Sequence, residues 1–371
     1  MATTVNALRR WLLDHPQLRT GPHTGGVLGV SGGAAAESYV YPEIAGYYLT
    51  WLAFADLLDP AASRTTGERR DLTVAWLAGQ SDTAGGPPTR TYLAPGPPAA
   101  DDWRNDALFA FDLGMVFRGI AAPGRPTDGG RRARPAHDPG PVRDRVAALL
   151  ADLRDTDGSW LAARPFPSAP PLPERWSTLP GPHLLKAAGG VLALHDGDDD
   201  PRLRQAAVAT LARHAPPLKR DLPAMSHPAL YAVEGLLQAE SAGHTEYHEE
   251  LTSAYHRLAG ALVDGVPHEY AGRPGSRVRS DVIAQLLRAG SVLAGRGELD
   301  AAAAAQLPLL AGLLAERVAP DGSLPFDTAA ASGTALQANT WCAMFAHQAL
   351  VFFDRVAGGE PVPDQWVRLL V

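Results

Sequence analysis

The sequence has little cysteine and little lysine. Cys342 is the single cysteine among 371 residues, so an internal disulfide framework and a zinc site made of several cysteines are both excluded. Only Lys186 and Lys219 among the 33 basic residues are lysines, while alanine, glycine and proline are abundant. This bias is typical of a high-GC bacterial genome and carries no information about chemistry.

The chain also lacks an excess of positive charge and a long apolar run near its start. Its formal net charge of −7 argues against a nucleic-acid or anionic-membrane surface, because phosphate binding requires a basic face. The segment "MATTVNALRRWLLDHP" has the pattern of an amphipathic helix and indicates neither a signal peptide nor a membrane anchor. We therefore expect a cytoplasmic protein whose partners are small molecules or glycans, and a homodimer stays open as an assembly.

Helical periodicity is the main signal that the sequence does contain. Apolar residues recur at i, i+3, i+4 and i+7 in segment after segment, with almost no alternation of period two. Because 46% of the residues are hydrophobic, the chain can bury a large core. The predicted helices are 3–14, 42–58, 67–79, 105–120, 140–153, 179–195, 200–214, 227–241, 245–263, 279–294, 299–317 and 336–355.

These predicted helices alternate in character. The even-numbered ones, such as "YPEIAGYYLTWLAFADLL", are apolar nearly all round, whereas most odd-numbered ones, such as "GERRDLTVAWLAGQ", have a polar, arginine-rich face. A strict alternation of inner and outer helices is what a closed α/α toroid requires. We therefore predict an all-α fold, an (α/α)6 toroid formed by residues 1–371 as a single domain, with an open α-solenoid as the alternative.

The connections between the predicted helices differ in length. Those that lead from an outer to an inner helix are long and irregular, as in "DTDGSWLAARPFPSAPPLPERWST", and they contain Trp, Tyr, His and Arg. In an alternating toroid these loops all emerge at one end of the barrel. Long loops are usually functional or disordered, and this composition argues against disorder. The sequence therefore predicts a funnel-shaped site at the long-loop end.

One early carboxylate, Glu43, interrupts the apolar stretch "YVYPEIAGYYLTWLAFADLL", residues 39–58. Glu43 either complements the helix dipole at an N-terminus or faces the cavity as an acid or base. Helices one and four of six inner helices face each other across a barrel, which puts His227 opposite Glu43. An imidazole gives or takes a proton near neutrality, so His227 is the expected partner of Glu43.

Other polar and aromatic residues also lie near the loop ends of the inner helices. Aromatic faces stack on sugars, while carboxylates, His and Arg bind polar groups or transfer protons. The candidate catalytic residues are Glu43, Asp112, His227 and Asp281. The candidate substrate-binding residues are Tyr41, Tyr47, Trp103, Arg104, Trp160, His183, Lys186, Tyr231, Glu234, His268, Tyr270, Arg279 and Trp341. Neither a metal site nor a cofactor is predicted.

The segment "DGDDD", Asp196 to Asp200, matches by letter the DxDD pattern of class II terpene cyclases. It lies in a short turn from an inner to an outer helix, at the end of the barrel away from the long loops. We therefore interpret it as a cap of the following helix and not as a catalytic motif.

Several segments together resemble proteins of known fold. "YPEIAGYYLTWL", "WLAGQ", "FDLGMVFRGI", "SHPALYAVEGLL" and "NTWCAMFAHQAL" are similar to the α/α-toroid proteins of bacterial polysaccharide and glycoside metabolism. These include six-hairpin glycosidases, N-acylglucosamine 2-epimerase-like enzymes and the helical domain of uronyl C5-epimerases. The resemblance implies an epimerase, isomerase, lyase or hydrolase that acts on a carbohydrate or sugar-like natural product, and it specifies the fold better than the reaction.

Two further segments leave other functions open. "DTDGSW" and "APDGSLPF" resemble the Gly-Trp repeat turns of terpenoid cyclases and prenyltransferases, which share the toroid. A cyclase of a biosynthetic intermediate is therefore the second candidate, although the chain lacks a well-placed aspartate motif. A toroid that binds glycans without catalysis is the third.

Overall fold

The computed structural model describes residues 1–32, 38–82, 85–94, 102–122, 138–194, 200–327 and 337–371. Asp196 to Asp199 of the "DGDDD" segment lie outside these residues. The described helices are α1 (Ala2–Asp14), α2 (Pro42–Leu58), α3 (Ser63–Ser81), α4 (Ala110–Ala121), α5 (Gly140–Asp152), α6 (Leu184–Leu194), α7 (Pro201–His214), α8 (Ser226–Ser241), α9 (His248–Ala259), α10 (Ser280–Gly295), α11 (Ala301–Ala315), α12 (Thr340–Ala357) and α13 (Asp364–Arg368).

The even-numbered helices α2 to α12 form the inner wall of a barrel. Each packs against the next even-numbered helix, and α12 packs against α2, so the ring is closed. The outer helices α1, α3, α5, α7, α9 and α11 pack on α12, α2, α4, α6, α8 and α10, respectively. This arrangement confirms the predicted (α/α)6 toroid and rules out the open solenoid.

Short strands lie where the inner helices begin. They are β1 (Val30–Ser31), β2 (Tyr39–Val40), β3 (Thr91–Tyr92), β4 (Ala107–Phe109), β5 (Ala163–Pro165) and β6 (Ala338–Asn339). The antiparallel pairs are β1 with β6, β2 with β3 and β4 with β5. Segments of two or three residues are too short to show a period, which is why the sequence pattern did not reveal them.

These pairings hold the long loops over one end of the barrel. β2 and β4 directly precede α2 and α4, and each pairs with the loop that leads to the next inner helix. The same relation holds for single bridges between Met225 and Tyr270 and between Arg279 and Asp327. The loops therefore pair with one another around the rim, next to where these inner helices begin.

Three inner helices begin four or five residues later than predicted. Helix α4 begins at Ala110 and not at 105, because Trp103–Asp106 form a 3₁₀ turn and β4 follows it. Helix α6 begins at Leu184 and not at 179, since Pro180 and Pro182 disfavour helix in the residues before them. Helix α12 begins at Thr340 and not at 336, where the Asn339 side chain accepts a hydrogen bond from the Cys342 amide at 3.0 Å.

A layer of buried charge crosses the barrel beneath its open end. Glu234 accepts a hydrogen bond from Lys186 Nζ at 2.8 Å and also binds Arg288, and all three side chains are inaccessible to water. Lys186 donates in addition to the backbone oxygen of Val371 at 2.8 Å. The residues after α13 thus bind this layer from below and close the opposite end of the barrel. No helix in the described ranges is both long and apolar enough to cross a membrane.

Helices α6 and α8 approach each other through glycine. A Cβ on Gly235 would lie 2.1 Å from the Leu185 carbonyl oxygen, and one on Gly189 would lie 1.8 Å from the Gly235 carbonyl oxygen. A side chain at either position would force the two inner helices apart. Gly312 on the outer helix α11 differs, because a Cβ there would have no neighbouring atom within 4 Å.

We predict that Gly235→Ala lowers the free energy of unfolding by about 1 to 3 kcal/mol, because the added methyl group overpacks the contact between α6 and α8. Gly312→Ala, the matched control, should raise it by about 0.5 to 1 kcal/mol, since alanine is the better helix former. Urea denaturation of both variants measures these changes. A Gly235→Ala variant as stable as the wild type would show that the helices do not approach this closely.

Candidate active site

A cavity of about 260 Å³ opens at the end of the barrel where the inner helices begin. This is the long-loop end, as expected from the loop lengths. The lining residues come from the starts of the inner helices and from the loops above them. They are Tyr39, Tyr41, Glu43, Ile44, Arg90, Trp103, Arg104, Phe109, Phe111, Asp112, Arg175, Trp176, Ser177, His227, Tyr231, Arg279, Phe326 and Trp341.

The extended residues that precede the inner helices set the direction of the first-turn side chains. Tyr41, Phe109 and Arg279 have β-region dihedral angles directly before α2, α4 and α10. Each of these helices therefore begins abruptly at the cavity, and its first turn lies at the wall. Glu43 and Asp112 are the acidic residues in the first turns of α2 and α4.

Glu43 and Asp112 form a carboxyl pair on these two neighbouring helices. Their side chains lie close enough for the charge of Asp112 to act on Glu43. The Tyr41 hydroxyl donates to Asp112 Oδ2 at 3.3 Å and also contacts Glu43. Two carboxylates this close repel each other, so the pair is most stable when it holds a proton.

The pKa values of the pair follow from dehydration. Burial raises the pKa of Glu43 well above its usual value, and the charge of Asp112 raises it further, against the opposing effects of Tyr41 and Arg90. Burial also raises the pKa of Asp112 to about 7, although Tyr41 and Arg90 again oppose the shift. The helix dipole at the start of α2 would favour an ionised Glu43, but dehydration outweighs it.

His227, in the first turn of α8, lies on the wall that continues towards α10. Its Nδ1 lies 2.7 Å from Oε1 of Gln285, whose Nε2 donates to Glu234 at 3.2 Å. Because the Gln285 amide is oriented by Glu234, its oxygen accepts the proton of His227 Nδ1. Burial lowers the pKa of His227 to about 4, so the imidazole is neutral near pH 7 and its Nε2 carries a free electron pair.

Asp281 supports this wall from behind. Its two carboxylate oxygens accept from Arg279 at 3.0 and 2.6 Å, and Oδ2 lies 3.4 Å from His227 Nδ1. Burial alone would raise the pKa of Asp281, but the charge of Arg279 and these contacts lower it to about 2. Asp281 is completely buried and does not line the cavity. In this position Asp281 contacts both His227 and Arg279, and the catalytic role predicted for it stays a prediction.

Nine of the predicted site residues line the cavity: Tyr41, Glu43, Trp103, Arg104, Asp112, His227, Tyr231, Arg279 and Trp341. The other predicted residues lie elsewhere, although their proposed roles stay predictions. Trp160 is in the hydrophobic core, and Lys186 and Glu234 are in the charged layer. His183 is buried behind Trp176, with its ring 5.2 Å from the indole.

The remaining predicted residues are also outside the cavity lining. Tyr47 is buried and contacts Tyr231 from below. His268 lines a separate small recess, and Tyr270 belongs to the bridge with Met225. All three come from segments that the sequence correctly associated with the open end, but a linear pattern does not show which side of a segment faces the axis.

Nine lining residues were not predicted: Tyr39, Ile44, Arg90, Phe109, Phe111, Arg175, Trp176, Ser177 and Phe326. The pair Arg175 and Trp176 could have been found, since it stands in a long loop directly before an inner helix. Arg90 gave a weaker signal, because one arginine in a loop is common. No group of three or more His, Cys, Asp or Glu side chains in the described residues is arranged to hold a metal ion.

Neither a protein-family model nor a curated protein matches the chain. Solved structures do match it over nearly its whole length. An unsaturated glucuronyl hydrolase specific for heparin has a TM-score of 0.64 at 10% identity, covering 96% of both chains. A cellobiose 2-epimerase from Spirochaeta thermophila has a TM-score of 0.67 at 14% identity, covering 96% of this chain and 98% of the other.

A type II terpene cyclase from Scytonema is also similar, with a TM-score of 0.58 at 15% identity over 94% of this chain and 97% of the other. The α/α-toroid resemblance seen in the sequence is thereby confirmed for the fold. Identities this low do not transfer a reaction or a substrate, since proteins of one fold catalyse different reactions.

We predict that Asp112→Asn stabilises the protein at alkaline pH. The pKa of Asp112 is about 7 in the fold and about 4 in an unfolded chain. The wild type therefore loses stability as the pH rises between these values, whereas the uncharged variant does not. Because the cavity admits some water, we expect the variant to be more stable by roughly 2 kcal/mol at about pH 8 and by less at about pH 5.

Denaturant unfolding of both proteins at the two pH values measures this difference. Asp144→Asn is the matched control, because Asp144 is an exposed residue of the outer helix α5. A variant of Asp112 that is less stable than the wild type at the higher pH would show that the carboxylate is ionised and well compensated in the fold.

Proposed function

We propose that the protein is an enzyme that transfers protons to and from a carbohydrate or sugar-like small molecule bound in the cavity. This proposal rests on one observation: the same cavity contains carboxyl groups whose pKa values are raised and an imidazole whose pKa is lowered. The carboxyl pair of Glu43 and Asp112 retains a proton near neutrality, and His227 stays neutral. Groups whose pKa values are moved apart in this way suit a general acid and a general base.

The roles follow from the protonation states. The pair of Glu43 and Asp112 would donate a proton, and Tyr41 would orient it. His227 Nε2 would accept one, since Gln285 occupies Nδ1. Such chemistry serves an epimerase, isomerase, lyase or hydrolase and requires no redox cofactor. The similarity of the fold to a glucuronyl hydrolase and a cellobiose epimerase is consistent with a sugar-like substrate.

The cavity also has aromatic side chains on which a sugar ring can stack. Trp103, Trp176 and Trp341 line the cavity together with Tyr39 and Tyr231. Flat aromatic faces stack on the apolar faces of sugar rings and exclude water around the reacting groups. The net charge of the chain, −7, further favours a small molecule over nucleic acid as the partner.

The same aromatic lining favours a second candidate, the cyclisation of a polyene started by a protonated carboxyl group. Aromatic faces stabilise carbocations as they do other cations, and a type II terpene cyclase shares the fold. Arg90, Arg104, Arg175 and Arg279 weigh against this candidate, because four guanidinium groups around the cavity do not suit a purely hydrocarbon substrate.

We predict that Glu43→Gln lowers turnover by roughly 10²-fold or more, because the amide cannot donate the proton. Melting should be unchanged or slightly higher, since a buried carboxyl group is removed. The assay is the incorporation of solvent deuterium into a panel of neutral and acidic sugars, with polyprenyl alcohols for the cyclase reaction. His248→Gln on the outer helix α9 is the control and should keep full activity.

The pH profile of kcat/KM tests the same assignment. Activity should rise as His227 loses its proton near pH 4. It should fall on the alkaline side as the carboxyl pair loses its proton, because burial raises the pKa of Asp112 to about 7 and that of Glu43 well above its usual value. If a folded Glu43→Gln variant turns over at the wild-type rate, Glu43 is not the acid of the reaction. Sugar binding without deuterium incorporation or hydrolysis would instead favour the non-catalytic toroid.

A further inference from the structure

Three arginines of the cavity lining, Arg90, Arg104 and Arg175, lie beside the rings of Trp103 and Tyr39 and are called the arginine wall here. The Arg104 guanidinium is 4.6 Å and that of Arg175 is 5.9 Å from the Trp103 ring centroid. The guanidinium of Arg90 lies 4.3 Å above the ring of Tyr39. These residues come from the 3₁₀ turn before α4, the loop before α6 and the segment next to β3. Three loops thus bring three positive charges to one wall.

The three arginines of this wall have few ion-pair partners. Asp102 is shared, with Oδ1 2.8 Å from Arg104 and Oδ2 3.5 Å from Arg90. Within the described ranges, Arg175 has no ion pair, and the buried Nε of Arg90 has no hydrogen-bond partner. A buried donor without a protein partner is costly, and an ordered water or a bound ligand can satisfy it.

Hydrogen bonds hold the main chain of Arg90 and the carboxylate that Arg90 and Arg104 share. The Asn105 side chain accepts from the Arg90 amide at 2.8 Å and donates to its carbonyl oxygen at 2.9 Å. The Tyr92 hydroxyl donates to Asp102 at 2.9 Å and so fixes the shared carboxylate. Arginines positioned by a rigid network present their donors as a fork that fits carboxylate or phosphate oxygens.

The arginine wall adjoins the carboxyl pair. The charge of Arg90 acts on both Glu43 and Asp112, and that of Arg104 acts on Asp112. The positive charge of these arginines lowers the pKa values of the carboxyl pair. An anion bound at the wall would offset part of that charge and help the pair to keep its proton. Binding at the wall and protonation of the acid would therefore reinforce each other.

We propose that the substrate carries an anionic group, a carboxylate or a phosphate, which binds to Arg90, Arg104 and Arg175. This inference rests on the proposed function for the identity of the rest of the substrate. The anionic group of the substrate binds to the arginine wall, and the ring of the substrate stacks near Trp103. The carbon that reacts lies between the carboxyl pair and His227.

The test compares three probes that share one ring and differ at one carbon: glucose, glucuronate and glucose 6-phosphate. Titration by ligand-observed NMR measures their dissociation constants for the wild type. We expect at least one of the two anions to bind about tenfold or more tightly than glucose, and its affinity to fall with added salt. The preferred anion then identifies the group as carboxylate or phosphate.

The variants Arg104→Gln and Arg175→Gln should reduce this preference to about twofold or less. Arg202→Gln is the control, because Arg202 pairs with Asp200 on the outer helix α7, away from the cavity. Equal binding of all three probes, no binding of any probe, or an anion preference that persists in both variants would overturn the inference.

Binding in Glu43→Gln separates this inference from the proposed function. If the anion binds to the wild type and to Glu43→Gln, yet no proton transfer is found with any substrate, the arginine site stands and the proposed function fails. If neutral sugars are turned over and both arginine variants retain full kcat/KM, the proposed function stands and the arginine site fails.

Discussion

The contact between α12 and α2 is the constraint on which the rest of the structure depends, because it closes the ring of inner helices. A closed ring removes from water the side chains that point to its axis. Dehydration is consequently the largest influence on the pKa values of Glu43, Asp112 and His227. It favours the neutral form of both kinds of group. One constraint therefore yields a protonated acid and an unprotonated base in the same cavity.

The buried acidic residues of the barrel differ in their ion pairs at two depths. In the deeper layer, Glu234 is paired with Lys186 and Arg288, whose charges keep its pKa below the usual value in spite of burial. At the cavity, Glu43 and Asp112 have no such ion pairs in the described part of the chain. Charges of the first kind can be buried because they are paired, so removing one partner would be strongly destabilising. Groups of the second kind, whose pKa values are perturbed, are concentrated at functional sites.

The sequence predicted the toroid because the alternation of apolar and amphipathic helices is a local property, and α2 runs over residues 42–58 as expected. It also identified Glu43, the carboxylate in an apolar helix. It did not predict that Asp112 is the direct neighbour of Glu43, since that contact depends on how adjacent helices rotate in the ring. Lys186 and Arg104 are both basic residues near the loop end of a predicted inner helix, so the sequence does not distinguish them. In the structure Lys186 belongs to the buried charged layer and Arg104 lines the cavity.

The central claim is that the carboxyl pair keeps a proton near neutrality, and infrared spectroscopy tests it without a substrate. The carbonyl stretch of a protonated carboxyl group is distinct from the bands of a carboxylate, and 13C-labelled aspartate identifies its origin. The account predicts a buried aspartic acid signal that disappears as the pH rises through about 7 and is absent from Asp112→Asn. If every aspartate and every glutamate is already ionised by about pH 5, as in model peptides, the pair is not an acid and the account is contradicted.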